Sequence, residues 1–195
     1  MNLPENWPQG FSYSPISLYL GISQNLFRHL LSTTHPESRN RIAPCIENQT
    51  VHLHLAIRKI TENFRCFGKM PHPLVGQYGV FAHEKIPKET ELGEYVGEVS
   101  FGKEDSEIPR IFKGVHCWRA SFGSFLLHIS SERIANELAF INDFRGVQKD
   151  PNVRPKWILH RGAHYFGFET IREIGPMEEL LVDYGKTWEK TRGLA

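Results

Sequence analysis

A chain of 195 residues is long enough to bury a sizeable core as one generous domain or one domain with an appendage, and its 23 basic residues against 22 acidic leave a net charge of +1. Neither sign gathers into a long run, which argues against a nucleic-acid footprint or a membrane-surface patch. Cys45, Cys66 and Cys117 are widely spaced and form no C-x-x-C pair, so they suggest neither a disulfide framework nor a thiolate zinc site and fit a reducing compartment, cytoplasm or nucleus.

The opening "MNLPENWPQGF" has no basic n-region and no apolar h-region, and nowhere do 18 apolar residues run together; the expectation is a soluble protein without signal peptide or membrane span. Residues 1 to about 14 form an irregular arm, either flexible or pinned by Trp7 and Phe11. Ser14 followed by Pro15 resembles a helix start, and Leu18, Ile22, Leu26 and Leu30 make a stripe at helical spacing, which predicts a first helix. Leu53, Ile57, Ile60 and Phe64 fall on one helical face after Asn48-Gln49-Thr50, predicting a second helix to about Phe64. Residues 1–70 are thus read as a helical N-terminal region.

After "GKMPHPLVGQYG" the chain turns to short runs such as "GVFAHEKI", "ELGEYVGEV", "SFLLHIS", "HYFGFETI" and "ELLVDYG". Such runs, rich in Val, Ile, Phe and Tyr and cut by Gly, Pro and polar turns, predict many short strands. Without alternating helical stripes, small antiparallel sheets are favoured over a doubly wound parallel one. The class is α+β, mainly β.

Common catalytic signatures are missing. His52 and His54 sit two apart in a predicted helix, and His160 and His164 four apart across a glycine; neither pair has an evident third ligand, so no metal is expected. There is no G-x-S-x-G elbow, and "GQYG" lacks the Lys-Ser/Thr of a phosphate loop and precedes a strand.

Three segments remain: "GQYGVFAHEKIPKETELGEYVGE" (76–98), "NELAFINDFRG" with "PNV" following (136–153), and "GFETIREIGPMEELLVDYGKTW" (167–188). Their order and content resemble the SET domain of protein lysine methyltransferases. The resemblance implies a SET domain over residues 71–190 with a variable insert at about 100–130 and a short tail at 191–195. It implies small twisted sheets, a knot-like C-terminal threading, S-adenosylmethionine as methyl donor, and a lysine entering through a narrow channel. Gln77, Tyr78 and Gly79 then correspond to the cofactor-binding turn, Asn142 and Asp143 to the cofactor loop, Tyr95 to a wall of the lysine channel, and Tyr184 to the methyl-transfer point and the cofactor site together. Trp188 is the candidate to cover the adenine. Tyr184 and Tyr95 are the catalytic candidates.

Methyl transfer from a sulfonium is an in-line displacement, so the protein must chiefly align nitrogen, methyl and sulfur at about 3 to 3.5 Å. Free lysine titrates near ~10.4, and a dry aromatic channel beside a positive sulfonium favours the neutral amine that must attack. A tyrosine supplies both an apolar wall and an orienting hydroxyl.

The chain departs from the family at Gln77, Glu89 and Met177, where glycine is usual, at Ala139, where arginine is frequent, and at Asp143-Phe144-Arg145, which replaces His-Ser-Cys. A side chain in a turn of positive φ costs on the order of 1 kcal/mol, so turns of another type are expected at those positions. Asp143 can keep the backbone contact to adenine and offers a carboxylate to its amino group. Val182 stands where an aromatic tunes the number of methyls, leaving Tyr165 to fill the space. A catalytically inactive SET-like binding module is the alternative to the enzyme. A histone tail docked as an added strand near the insert, facing Glu104, Asp105 and Glu107, is one substrate the resemblance implies, and a non-histone or self-methylated lysine fits equally.

Overall fold

The computed structural model of the chain describes residues 3–15, 17–19, 55–66, 70–102, 116–122, 125–160 and 163–185. In chain order these carry β1 (Ser12–Tyr13), β2 (Leu18–Tyr19), β3 (Leu55–Lys59), β4 (Tyr78–Ala82), β5 (Glu91–Glu94), β6 (Glu98–Gly102), β7 (Cys117–Phe122), β8 (Phe125–Ser130) and β9 (Ile134–Ala135). A 3-10 turn (Glu137–Phe140), β10 (Asn142–Asp143), β11 (Val153–His160), β12 (Ala163–Thr170) and β13 (Leu181–Val182) follow. Among the described residues the regular secondary structure is almost wholly strand, as the β-rich texture predicts.

The longest ladder is the β11–β12 hairpin, in register from Val153 opposite Thr170 to His160 opposite Ala163. On the other side of β12 lies β5, and the close approach there depends on Gly167, since an added Cβ would collide with the Gly93 carbonyl oxygen. The Tyr95 amide donates to the Phe166 carbonyl at 2.8 Å, which fixes Tyr95 at the end of this sheet. A second sheet runs β2-β6-β8-β7, and β3 and β4 form a third, antiparallel pair. Tyr95, Phe81, Phe168, Leu92, Ile174 and Leu180 are fully buried between them. Three pairings of two residues each are parallel, β1 with β9, β2 with β6 and β10 with β13; periodicity gives no sign of them.

The predicted second helix is corrected over its described part: Leu55–Lys59 is a strand paired with β4. The sequence carries both periods, because Leu55 and Ile57 alternate with Ala56 and Arg58 while Ile57 and Ile60 also fit a helical face. Burial decides between them. Leu55 and Ile57 enter the core and the residues between are half-exposed, which a strand achieves and a helix does not. The first predicted helix is contradicted at Leu18–Tyr19, a strand parallel to β6, and its continuation through Leu30 lies outside the described residues. The N-terminal arm is pinned: Trp7 and Phe11 stack edge-on against Phe140 at 5.5 and 5.1 Å.

The turns at Glu89 and Met177 keep left-handed backbone, with φ of 63° and 65°, so the expectation of another turn type is corrected. The Glu89 amide donates to Thr170 and the Met177 amide to Ala82, and these cross-links hold the strained conformation. At the first turn the positive φ falls on Gly76 (91°) and not on Gln77, so that departure carries no strain. Both strained side chains are solvent-exposed. Replacing Glu89→Gly and Met177→Gly therefore removes about 1 kcal/mol of strain each with little packing lost; urea unfolding should show a higher midpoint for each single variant and a roughly additive rise for the pair.

Candidate functional site

The site is organised by β10 and β13, which pair Asn142 with Leu181 and Asp143 with Val182. Two-residue strands cannot hold this register by backbone alone. Asn152, fully buried, supplies the rest: its Nδ2 donates to the Glu179 carbonyl at 2.7 Å and its Oδ1 accepts from the Leu181 amide at 2.7 Å. Its own amide donates to the Leu181 carbonyl at 2.9 Å, so the asparagine acts as an extra strand beside β13.

Asn142 ties this pair to β4. Its Nδ2 donates to the Tyr78 carbonyl at 3.0 Å and to Glu179 Oε1 at 2.9 Å. Both neighbours can only accept, so the nitrogen must face them and the amide oxygen faces the other way. Gly79 makes room for this contact, because a Cβ there would stand 2.5 Å from Glu179 Oε1 and 3.1 Å from Asn142 Nδ2. The second oxygen of the buried Glu179 meets His72 Nε2 at 2.8 Å. His72 Nδ1 accepts from the Leu74 amide, so the proton sits on Nε2 and the ring donates to Glu179. Thus a relay runs from the buried His72 and Glu179 to the half-buried Asn142 and Tyr78.

Asp143 is buried with its carboxylate turned inward. Oδ1 accepts from the Arg145 amide at 3.0 Å, and Oδ2 from Arg145 Nη1 at 2.6 Å and from the Tyr184 amide at 2.8 Å. The sequence expectation that this carboxylate serves an adenine amino group is corrected in favour of a loop-holding role. Tyr184 is then pinned at its other end, its hydroxyl donating to the Ile141 carbonyl at 2.6 Å.

Around Tyr184 the aromatic rings converge. Trp118, on β7, lies 5.9 Å from Tyr184, 6.3 Å from Tyr95, 5.3 Å from Phe168 and 5.7 Å from Phe166, mostly edge-to-face. Burial pushes the Tyr95 phenol well above its ordinary value, opposed by a hydrogen bond with Ser131 and reinforced by Tyr184, so Tyr95 stays neutral. An enclosure of this kind lowers the cost of an uncharged amine relative to an ammonium.

Of the sequence-predicted residues, the structure brings Tyr78, Gly79 and Asn142 together on one side, and Asp143 and Tyr184 on the other end of the same strand pair. Tyr95 joins Tyr184 through Trp118. Gln77 is exposed, its amide bonded to Leu74 and its carbonyl accepting from Ile60. Trp188, the acidic residues at 104–107, His52 and His54 lie outside the described residues. Tyr165 is set on the opposite face of β12 from Phe166 and Phe168, so Trp118 and not Tyr165 is the aromatic beside Tyr184. Trp118, Glu179 and His72 were not singled out by the sequence; an alternating "HCWRA" run was the available signal for the first. A cavity of ≈ 570 Å³ lined in part by Phe64, Cys66, His72, Phe81 and Glu179 shares His72 and Glu179 with the relay, yet Tyr95, Asn142 and Tyr184 do not line it. Burial and then the Glu179 carboxylate push the Cys66 thiol up, which makes it a poor nucleophile.

A family model described as "SET domain" matches residues 77–185. The histone-lysine N-methyltransferase CLF of Oryza sativa subsp. japonica is 30% identical over 116 residues, covering 56% of this chain and 12% of that protein. The histone-lysine N-methyltransferase MEDEA of Arabidopsis thaliana is 31% identical over 107 residues, covering 55% of this chain and 15% of that protein. The match therefore spans only a small part of these relatives. Among solved structures, a humanized mutant of the Chaetomium thermophilum Polycomb Repressive Complex 2 bound to the inhibitor GSK126 superposes with a TM-score of 0.47 at 23% identity, over 67% of this chain and 15% of that one.

Removing the amide that clamps β13 tests the organisation of the site. Asn152→Ala leaves the buried Leu181 amide and Glu179 carbonyl without their partner, which should cost about 2 to 4 kcal/mol; denaturant unfolding of the variant measures it, and a loss below about 1 kcal/mol would contradict the clamp.

Proposed function

The chain belongs to the SET-domain family, and on that premise we propose that it is a protein-lysine N-methyltransferase that moves a methyl group from S-adenosylmethionine to a lysine side chain, a histone tail being the substrate class to try first. The observation that carries the reading is the aromatic enclosure in which Trp118 joins Tyr95 to Tyr184, at one end of the strand pair that also holds Asn142.

The residues fit the cofactor. With its Nδ2 committed to two acceptors, Asn142 presents an amide oxygen suited to the ammonium at the methionine end. Gln77, Tyr78 and Gly79 on the adjoining turn and strand, Asp143 through its backbone, and Tyr184 complete the set that would hold it, with Trp188 over the adenine. Bound there, S-adenosylmethionine supplies a methyl activated by a positive sulfonium.

Each of the chain's own residues has a defined task. Tyr184 donates its hydroxyl proton to the Ile141 carbonyl, which fixes the phenol so that its oxygen can orient an amine or a polarised methyl by accepting. Tyr95, held neutral, offers a second hydroxyl without adding charge. Trp118, Phe166 and Phe168 exclude water, so a lysine entering between the tyrosines is favoured as the neutral nucleophile. The edge of the four-stranded sheet at β7 offers backbone groups for a substrate segment beside Trp118. The parallel β10–β13 pairing supports the knot-like threading as part of this reading, and Cys66 and Cys117, which form no disulfide among the described residues, suit a reducing compartment such as the nucleus.

The departures that favour an inactive module are absorbed locally: Gly76 takes the positive φ beside Gln77, and Asp143 stabilises the loop. Radiolabel transfer from S-adenosylmethionine to core histones should be measurable for the wild type. It should fall by about 10²-fold or more for Tyr184→Phe, while thermal unfolding shifts only by the loss of one hydrogen bond, about 1 kcal/mol. Absence of cofactor binding in calorimetry by the folded wild type would establish the binding module instead.

A further inference from the structure

Arg145 is an unexpected residue in the cofactor loop, and its side chain reaches both strands of the central pair. Nη1 lies 2.6 Å from Asp143 Oδ2, and Nη2 lies 2.7 Å from Asp183 Oδ1. Each carboxylate also holds a backbone amide on one side of the tyrosine: Asp143 Oδ2 accepts from Tyr184, and Asp183 Oδ1 from Gly185 at 2.7 Å. The guanidinium stands 4.9 Å over the Phe144 ring, which limits its swing. A planar fork with several fixed donors presents a separate N–H group to each carboxylate.

We infer that Arg145 is the positioning residue for Tyr184: by bridging Asp143 and Asp183 it fixes the two amides around the tyrosine, while the Ile141 carbonyl fixes the hydroxyl. Without the bridge the two carboxylates repel across the end of β13, and the segment carrying Tyr184 moves away from Trp118. The inference rests on the methyltransferase reading for its catalytic consequence, though the geometry of the clasp stands apart from it. Displacement of a reacting group by about 1 Å is enough to cost about 10²-fold in rate.

The test uses the full chain labelled with 5-fluorotryptophan, the Trp118 resonance being assigned by Trp118→Phe. Arg145→Ala should lower kcat by about 10²-fold, leave the KM for S-adenosylmethionine within about threefold, and shift the Trp118 fluorine resonance. Added methylguanidinium should restore part of kcat, and Arg145→Lys should recover only a fraction because an ammonium lacks the planar fork that aims separate donors at Asp143 and Asp183. If Arg145→Ala does not fold, Asp183→Asn, which weakens only the exposed arm of the bridge, takes its place with a smaller loss of about 10-fold in kcat and the same resonance shift. Unchanged kcat with an unmoved Trp118 resonance in a folded variant overturns the inference, as does equal loss of kcat and stability without rescue. A wild type that transfers no methyl refutes the enzyme reading, and the Trp118 resonance alone then judges the clasp.

Discussion

Two residues on each of two strands carry the architecture of the proposed site. Asn142 and Asp143 pair with Leu181 and Val182, bringing together segments nearly 40 residues apart, and so short a parallel ladder pays far too little for that loop closure. Side chains make up the difference. Asn152 holds β13 from outside, Asp143 reaches forward to the Tyr184 amide, and Asn142 reaches sideways to β4 and Glu179. Each substitutes a side-chain hydrogen bond for a backbone rung that the geometry cannot provide, and Asn152 and Asp143 are buried where an unmet partner is costly.

That arrangement explains why polar and apolar chemistry can lie so close. Buried carboxylates at Glu179 and Asp143 would be expensive alone, but His72 and Asn142 donate to the first, and Arg145 with two amides to the second. The charges are spent on holding backbone. The rings packed around Trp118 are neutral: Tyr95, Phe166, Phe168 and Tyr184.

Much of this was readable from the chain, for identifiable reasons. The C-terminal strands announced themselves through Val, Ile and aromatic runs cut by glycine and proline, and Tyr95, Asn142 and Tyr184 stood out because their motifs recur in a fixed order. The strand Leu55–Lys59 was misread because two apolar periods overlap there, and only the pairing with β4 selects one. The His72–Glu179 contact joins residues 107 positions apart and leaves no local mark. Trp118 went unnoticed because its run belongs to a stretch expected to be variable, and its meaning arises only when β7 folds against β12 and the Tyr184 segment. Asp143 was read as facing a ligand because sequence gives the residue and not the direction of its carboxylate.

The departures from family pattern share a logic that the structure makes visible. At Glu89 and Met177 the backbone keeps a glycine-like conformation and cross-strand hydrogen bonds hold it, so strain is tolerated where neighbours over-determine the turn. At Gln77 the requirement simply shifts by one residue to Gly76. At Asp143 and Arg145 two changes act together: a buried carboxylate without the guanidinium would lose its opposite charge, and the guanidinium without the carboxylate would lose the buried arm of its bridge to Asp183. Changes that look like losses when read one at a time are therefore compensated in pairs or by adjacent backbone.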